Sequence, residues 1–437
     1  MKIEDSTKLV CALVITVVVI GGTGFLFFGK PPNPAERLEQ QAREYTMLAL
    51  GLDLQKDGEV DAWFGPSAIA EEAQGQRRSL DDILASVQAL GAEVVAVGGD
   101  PQTAGRRQAL KQKIEHLATV TAIATGRIKL DFVGELQQLY GISPALEARN
   151  HPLILDELDA LLPGRGSLAF KVASFQNSMV IPADRRQAVF EAALAECRRR
   201  TLEHWDLAAS ESLSLEWTRD VPAAWHEYLG NNHSKLRINA LTVALISQSV
   251  DLACHEGYPG HHAQFVLMDN AVELPVEDSV VLLKSPGSVL REGAANYGID
   301  LAFPSGERLA FERDVLFPLA GLPADKAATN LRIHQLVTQL SSAAIPVIQE
   351  YYDGNIDFNA ASFRLEREAM FTSPLAVLEF VNDYGTYSMG YTLVRNLICR
   401  YGHPRHGESS WKMLKQLLVQ PAEDSLREIQ QKSIEGA

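Results

Sequence analysis

A proline–glycine pair inside a run of histidines is the strongest constraint on how this chain can fold. The stretch reads Cys254-His255-Glu256-Gly257-Tyr258-Pro259-Gly260-His261-His262 and follows a largely apolar, helix-spaced segment over 240–255. Proline lacks the backbone donor a helix needs and clashes with the turn before it, while glycine tolerates unusual dihedrals. A helix reaching His255 must therefore break at Pro259-Gly260. Three of the eleven histidines lie in this stretch, with a carboxylate directly after the first. Neutral imidazoles bind divalent metals, and an adjacent Glu can take a proton from an activated water. The His-Glu-x-x-His zinc helix would need its second His where Pro259 stands. Two histidines sharing a zinc ion must bring their nitrogens within roughly 4 Å. On an unbroken helix His262 would lie about 10.5 Å along the axis from His255, and His261 would point about 240° around it. Only a break lets His261 or His262 close a site with His255, and the spacing leaves both open.

A third ligand is expected from Ser288-Val289-Leu290-Arg291-Glu292-Gly293-Ala294-Ala295-Asn296-Tyr297. Glu292 follows apolar residues and precedes two small ones that allow another helix close, and a carboxylate buried there needs a partner. Two His and one Glu with an open fourth position is the catalytic zinc pattern, with Glu256 as general base. Arg237 and Asn239, on an alternating stretch just upstream, are candidates to bind a substrate backbone or carboxylate. Whichever of His261 and His262 is not a ligand is a candidate to orient substrate. His226-Glu227-Tyr228-Leu229-Gly230 also begins with His-Glu, but Gly230 stands where a second His belongs, so no metal site is expected there. Cys254 reads as a small buried helix residue rather than a nucleophile.

The pattern His255-Glu256-x-x-Pro259-Gly260-His261-His262, then Glu292-Gly293 with Tyr297, then Thr386-Tyr387-Ser388-Met389-Gly390, resembles a helical bacterial domain-of-unknown-function family, number eight hundred eighty-five. That family is similar to gluzincin-type zinc metallopeptidases. The resemblance covers roughly residues 210–400. It implies His255, His261 and Glu292 as ligands of one zinc ion, Glu256 as base, and Tyr387 as a donor to the oxyanion. The chain departs from the family pattern at Ala294, where Trp is common, which puts the shape of the pocket in question.

The formal net charge of −15 disfavours nucleic acid and anionic membrane as partners. Residues 9–28 are almost wholly apolar, long enough to span a bilayer, and lack a small-residue cleavage site. They predict an uncleaved N-terminal anchor over 1–30, with Lys2 and Lys8 before it and Lys30 and Arg37 after it leaving its orientation open. The catalytic part is expected outside the cytoplasm, in the periplasm. Cys11, Cys197, Cys254 and Cys399 are widely spaced, so no disulfide framework is expected.

From 31 to 437 the periodicity predicts one mainly α-helical, metallopeptidase-like domain. Helices are expected near 35–50, 80–90, 102–125, 129–140, 153–162, 182–209, 240–255, 288–302, 305–317, 323–352, 359–370, 374–382, 386–401 and 409–419, followed by a polar tail. Alternation over 212–217 and 235–239 predicts a small antiparallel β-ribbon beside the histidines. The Arg198-Arg199-Arg200 cluster reads as a solvated face. The expected activity is metal-activated hydrolysis of a peptide or small amide. A non-peptide amide or ester substrate, or a non-catalytic membrane-anchored binding protein retaining a zinc site, are the alternatives.

Overall fold

The computed structural model describes residues 33–96, 103–143, 151–221, 224–270, 274–402 and 407–435. The expected membrane anchor lies outside the described residues, among which no helix is long and apolar enough to cross a membrane.

The chain is mainly helical. Helix α1 (Pro34–Asp53) starts with a complete capping box: Asn33 accepts from the Glu36 amide and Glu36 accepts from the Asn33 amide, with Pro34 in the first turn. Helix α2 (Leu80–Ala96) starts where Ser79 accepts from the Asp82 amide. It was expected to stop at Gly91, yet it continues for five more residues. Gly91 faces Ile114 of helix α3 (Ala104–Ala124), where a β-carbon would make ordinary contact at 3.4 Å, so nothing in the packing stops the helix there. One buried cluster runs through the molecule from Leu38 of α1 to Ile429 near the C-terminus. The segment expected as a polar tail is in fact a helix, Ala422–Glu435. Leu426 and Ile429, three residues apart, anchor it in the core.

Two helical runs are less regular than their periodicity implies. The expected helix over 305–317 passes through a π-turn at Glu312–Leu316. The expected helix over 386–401 is a 3₁₀ turn (Gly385–Met389), a π-turn (Gly390–Val394) and only then an α-helix (Arg395–Gly402). Such insertions re-aim side chains, and the one over 385–394 lies beside the candidate site.

Two small sheets interrupt the helices. Strand β1 (Val60–Trp63) pairs antiparallel with β5 (Val280–Leu282). Strands β2 (Ser212–Thr218), β3 (Ala224–Gly230) and β4 (His233–Asn239) form the other sheet, in the order β2-β4-β3. The antiparallel element is the β3–β4 hairpin. The two alternating runs expected to pair with each other, β2 and β4, do so in parallel, with β3 on the far side of β4. The reason is the turn at Gly230-Asn231-Asn232, whose three residues all have positive φ. Glycine and asparagine reach this conformation cheaply, and a tight hairpin turn requires it.

Helix α4 (Arg186–Leu202) carries the arginine cluster and ends seven residues sooner than its composition implied. Arg198 pairs with Glu211, Arg199 with Glu196 and Glu203, and Arg200 with Glu196 and Glu307. Cys197 of α4 is joined by a disulfide to Cys254, against the expectation of none. The two cysteines are 57 positions apart in sequence, so no spacing motif betrays the pair.

Candidate metal centre

Helix α5 (Ile246–Glu256) ends at Gly257, and helix α6 (His261–Asp269) begins after Gly260. The Tyr258–Pro259 peptide between them is cis. The Gly260 amide donates to the Cys254 carbonyl at 3.0 Å, and the Ala263 amide donates to the Gly257 carbonyl at 3.1 Å. Gly260 is required by proximity rather than by dihedral. A β-carbon on it would lie 1.7 Å from the His255 carbonyl oxygen. This tight reversal brings the His255 and His261 rings to 4.7 Å between centroids, nearly perpendicular at 89°.

Helix α7 (Pro286–Ala302) supplies the carboxylate. It is seated by two glycines: Gly293 packs on Val394 of the π-turn, and Gly298 on Pro259. Glu292 Oε2 lies 3.1 Å from His255 Nε2, and Oε1 lies 3.4 Å from His261 Nε2. One donor atom from each of the three residues lies within 4.8 Å of the others. Zinc bonds of 2.0–2.1 Å in a tetrahedron separate donors by roughly 3.3–3.5 Å. The three groups are close enough together to hold a metal ion. Glu292 Oε2 and His261 Nδ1 are buried without a hydrogen-bond partner, and the unmet oxygen faces the imidazole that would share the ion.

The surroundings orient these groups. Asn296, one helical turn beyond Glu292, donates from its amide nitrogen to the Tyr391 carbonyl at 3.0 Å, which turns its oxygen toward His255. His255 Nδ1 lies 3.2 Å from that oxygen. The proton therefore belongs on Nδ1, and Nε2 keeps its lone pair for an ion, a common arrangement around metal-bound histidines. The Tyr391 ring stacks on His255 at 5.6 Å. Tyr387, buried on the 3₁₀ turn, donates its hydroxyl to Glu292 Oε1 at 2.5 Å. Neither Asn296 nor Tyr391 stood out in the sequence, although each lies four residues after a residue that did.

The electrostatics are those of a buried carboxylate between imidazoles. Burial alone would raise the Glu292 carboxyl, but His261 and His255 outweigh it and hold it well below the ordinary carboxylate range. Burial likewise disfavours a charged His261, yet Glu292 prevails and lifts the ring to about 9. Glu256, at the end of α5, is partly buried, and its charge is felt by His261 and Tyr391. Among the described residues its carboxylate has no hydrogen-bond or ion-pair partner.

His262 points elsewhere. It is fully buried, with Nδ1 at 2.7 Å from Ser234 Oγ and Nε2 at 2.9 Å from Glu211 Oε2. Both ring nitrogens are engaged within the protein, which leaves no edge for a substrate. Burial works to raise the Glu211 carboxyl, but hydrogen bonds from His262, Tyr258 and Arg198 hold it at about 2. Arg237 and Asn239 alternate along β4 with the buried Leu236 and Ile238, so they project from the opposite face of the sheet. Arg237 faces Glu227 at 3.4 Å and Asp220 at 3.8 Å. Asn239 donates to the Val221 carbonyl and accepts from the Leu241 amide. The structure brings neither to the three ligand candidates.

His226 does approach the centre, although its motif was set aside as a metal site. On strand β3 it stacks on Phe265 at 5.4 Å and lies 5.9 Å from the His261 ring. Burial, followed by the neighbouring His261, His262 and His255, keeps its pKa well below the ordinary histidine value. It is a neutral neighbour outside the triad.

A cleft of about 380 Å³ opens beside His255, Asn296 and Tyr391. Fold and site together define a mainly helical protein with a buried His-His-Glu group that could hold a metal ion, placed at the end of an open cleft. No family model matches the chain, and no curated protein or solved structure matches it.

Proposed function

We propose that the protein is a zinc-dependent hydrolase, a metallopeptidase of the gluzincin kind, as the resemblance to the domain-of-unknown-function family implies. The observation that carries this reading is the convergence of His255, His261 and Glu292 beside an unpartnered Glu256 at the end of a cleft. A zinc ion held there would polarise a carbonyl and acidify a water. His255 is presented in the right tautomer by Asn296. Glu256 takes the water's proton on its carboxylate and returns it to the leaving nitrogen, the two halves of general acid–base catalysis. Tyr387, whose hydroxyl is engaged by Glu292, orients that carboxylate. In this reading the phenol that meets the developing oxyanion is Tyr391, supported by its position in the cleft lining.

The Cys197–Cys254 disulfide supports an oxidising compartment, consistent with an extracytoplasmic domain held by the apolar run over 9–28.

The deciding experiment pairs metal analysis with turnover of a peptide mixture. Glu256→Gln is expected to keep one zinc ion per chain and lose activity by about 100-fold or more. His255→Ala, His261→Ala and Glu292→Ala are each expected to lose the ion. A Glu256→Gln protein as active as the wild type would end this reading.

A further inference from the structure

We infer that the cleft beside the metal centre is a subsite for an uncharged, apolar side chain of the substrate, next to the bond that is cut. The inference rests on the hydrolase reading above and adds the substrate's chemical class to it.

One wall of the cleft is apolar: Phe190, Trp217, Ile238, Val243 and Leu252. Trp217 is held as a fixed plate, its indole donating to Gln187 Oε1 at 2.6 Å and its ring meeting Phe190 edge-on at 5.5 Å. Leu252 is three residues before His255 on α5, on the same side of the helix, so this wall runs into the metal centre. A substrate whose carbonyl reaches His255 therefore lays its neighbouring side chain along this wall. Val243 stands at the lip, 55% exposed.

Charge narrows the class further. Among the described residues lining the cleft there is no Lys or Arg. The lining carboxylate, Asp251, is already matched by Arg308 at 2.7 Å and His334 at 2.6 Å. Arg237, the cation expected to hold a substrate carboxylate, belongs to the other face of β4. An acidic side chain entering here would lose its water and meet no unpaired cation among the described lining residues, and a lysine would find a carboxylate already occupied. Burying a leucine- or phenylalanine-sized group on this wall takes apolar surface out of water and is favourable. A cleft of about 380 Å³ lies in the size range of small-ligand sites.

Two measurements test this, one of them independent of metal and turnover. Ligand-observed NMR with N-acetyl-phenylalaninamide is expected to show saturable binding to the metal-free protein, and N-acetyl-glutamic acid α-amide is expected to show none. Val243→Asp, at an exposed position that leaves the fold intact, should abolish the first signal, and Trp217→Ala should weaken it. In turnover of a peptide library by the zinc-loaded protein, substrates with Leu or Phe beside the cut bond should lead, and Val243→Asp should lower their kcat/KM about tenfold. Equal binding of the two amides, or no binding of either, overturns the subsite. So does a cleavage profile with no apolar preference. If the phenylalanine amide binds as described and no peptide is cut, the subsite stands and the hydrolase reading falls.

Discussion

Asn296 shows how much a single residue can settle without being a ligand. Its amide nitrogen is fixed by the Tyr391 carbonyl, its oxygen meets His255 Nδ1, and the lone pair on Nε2 is thereby aimed at Glu292. Removing such an orienting group typically costs 10–100-fold in metal affinity. Asn296→Ala should weaken zinc binding by about that factor in a chelator competition, whereas Asn296→Asp, which keeps the acceptor, should lose less. Unchanged affinity in Asn296→Ala would show that the ring is oriented by the Tyr391 stack alone. The neighbouring histidines divided in a way their sequence positions did not disclose. His261 faces the carboxylate of α7, and His262 faces Glu211 and Ser234. His262→Ala should therefore leave metal stoichiometry intact while costing roughly 2–4 kcal/mol of stability, because it opens a cavity and strips a donor from a buried carboxylate.

Glu211 also gives a pH dependence with a definite sign. Its carboxyl is held at about 2 in the folded protein, below the ordinary value. A depressed folded value means that the unfolded chain takes up the proton first as pH falls. The stabilisation is complete above the ordinary carboxylate range and is lost as pH drops through it toward about 2. Thermal melts from pH 6 down to 2 should fall more steeply for the wild type than for Glu211→Gln.

At the scale of elements, the site depends on close backbone approach at two glycines. A β-carbon at Gly260 would press on the His255 carbonyl at 1.7 Å, and one at Gly293 would press on Val394 at 2.5 Å. Gly260→Ala must move the backbone that carries the first ligand, so reduced soluble yield and loss of metal are expected together. Gly293→Ala should shift α7 away from the π-turn, lowering both the melting temperature and zinc affinity. The disulfide between α4 and α5 ties the first ligand's helix to its neighbour. Closing a loop of this length stabilises by about 4 kcal/mol in the chain-entropy account. Cys197→Ser with Cys254→Ser should lower the melting temperature, and a reductant should reproduce the loss in the wild type. Equal melting with and without the bond would mean that packing of α4 on α5 suffices.

Over the whole molecule, an ion held by His255, His261 and Glu292 would couple segments distant in sequence, because α5, α6 and α7 converge only in the folded chain. A ligand that binds the folded state and not the unfolded one raises stability by mass action. Zinc should raise the melting temperature of the wild type and leave that of His261→Ala unchanged.

Much of this was legible along the chain. Helical periodicity marked most of the helices, the Pro-Gly pair marked the break, and the buried setting of Glu292 marked the third ligand candidate. These are local signals: side-chain spacing, a missing donor, a charge among apolar neighbours. The β2–β4 pairing, the partner of Cys254, the 3₁₀ turn and π-turn that aim Tyr387 and Tyr391, the separate fates of His261 and His262, and the outward turn of Arg237 were not legible. Each depends on which surface arrives from elsewhere in the sequence. The residues alone determined that the helix must break so that a second histidine could join His255. Only the tertiary structure decided which histidine turned toward Glu292, because that choice depends on what each face of α6 meets: Glu292 of α7 on one side, Glu211 and Ser234 on the other.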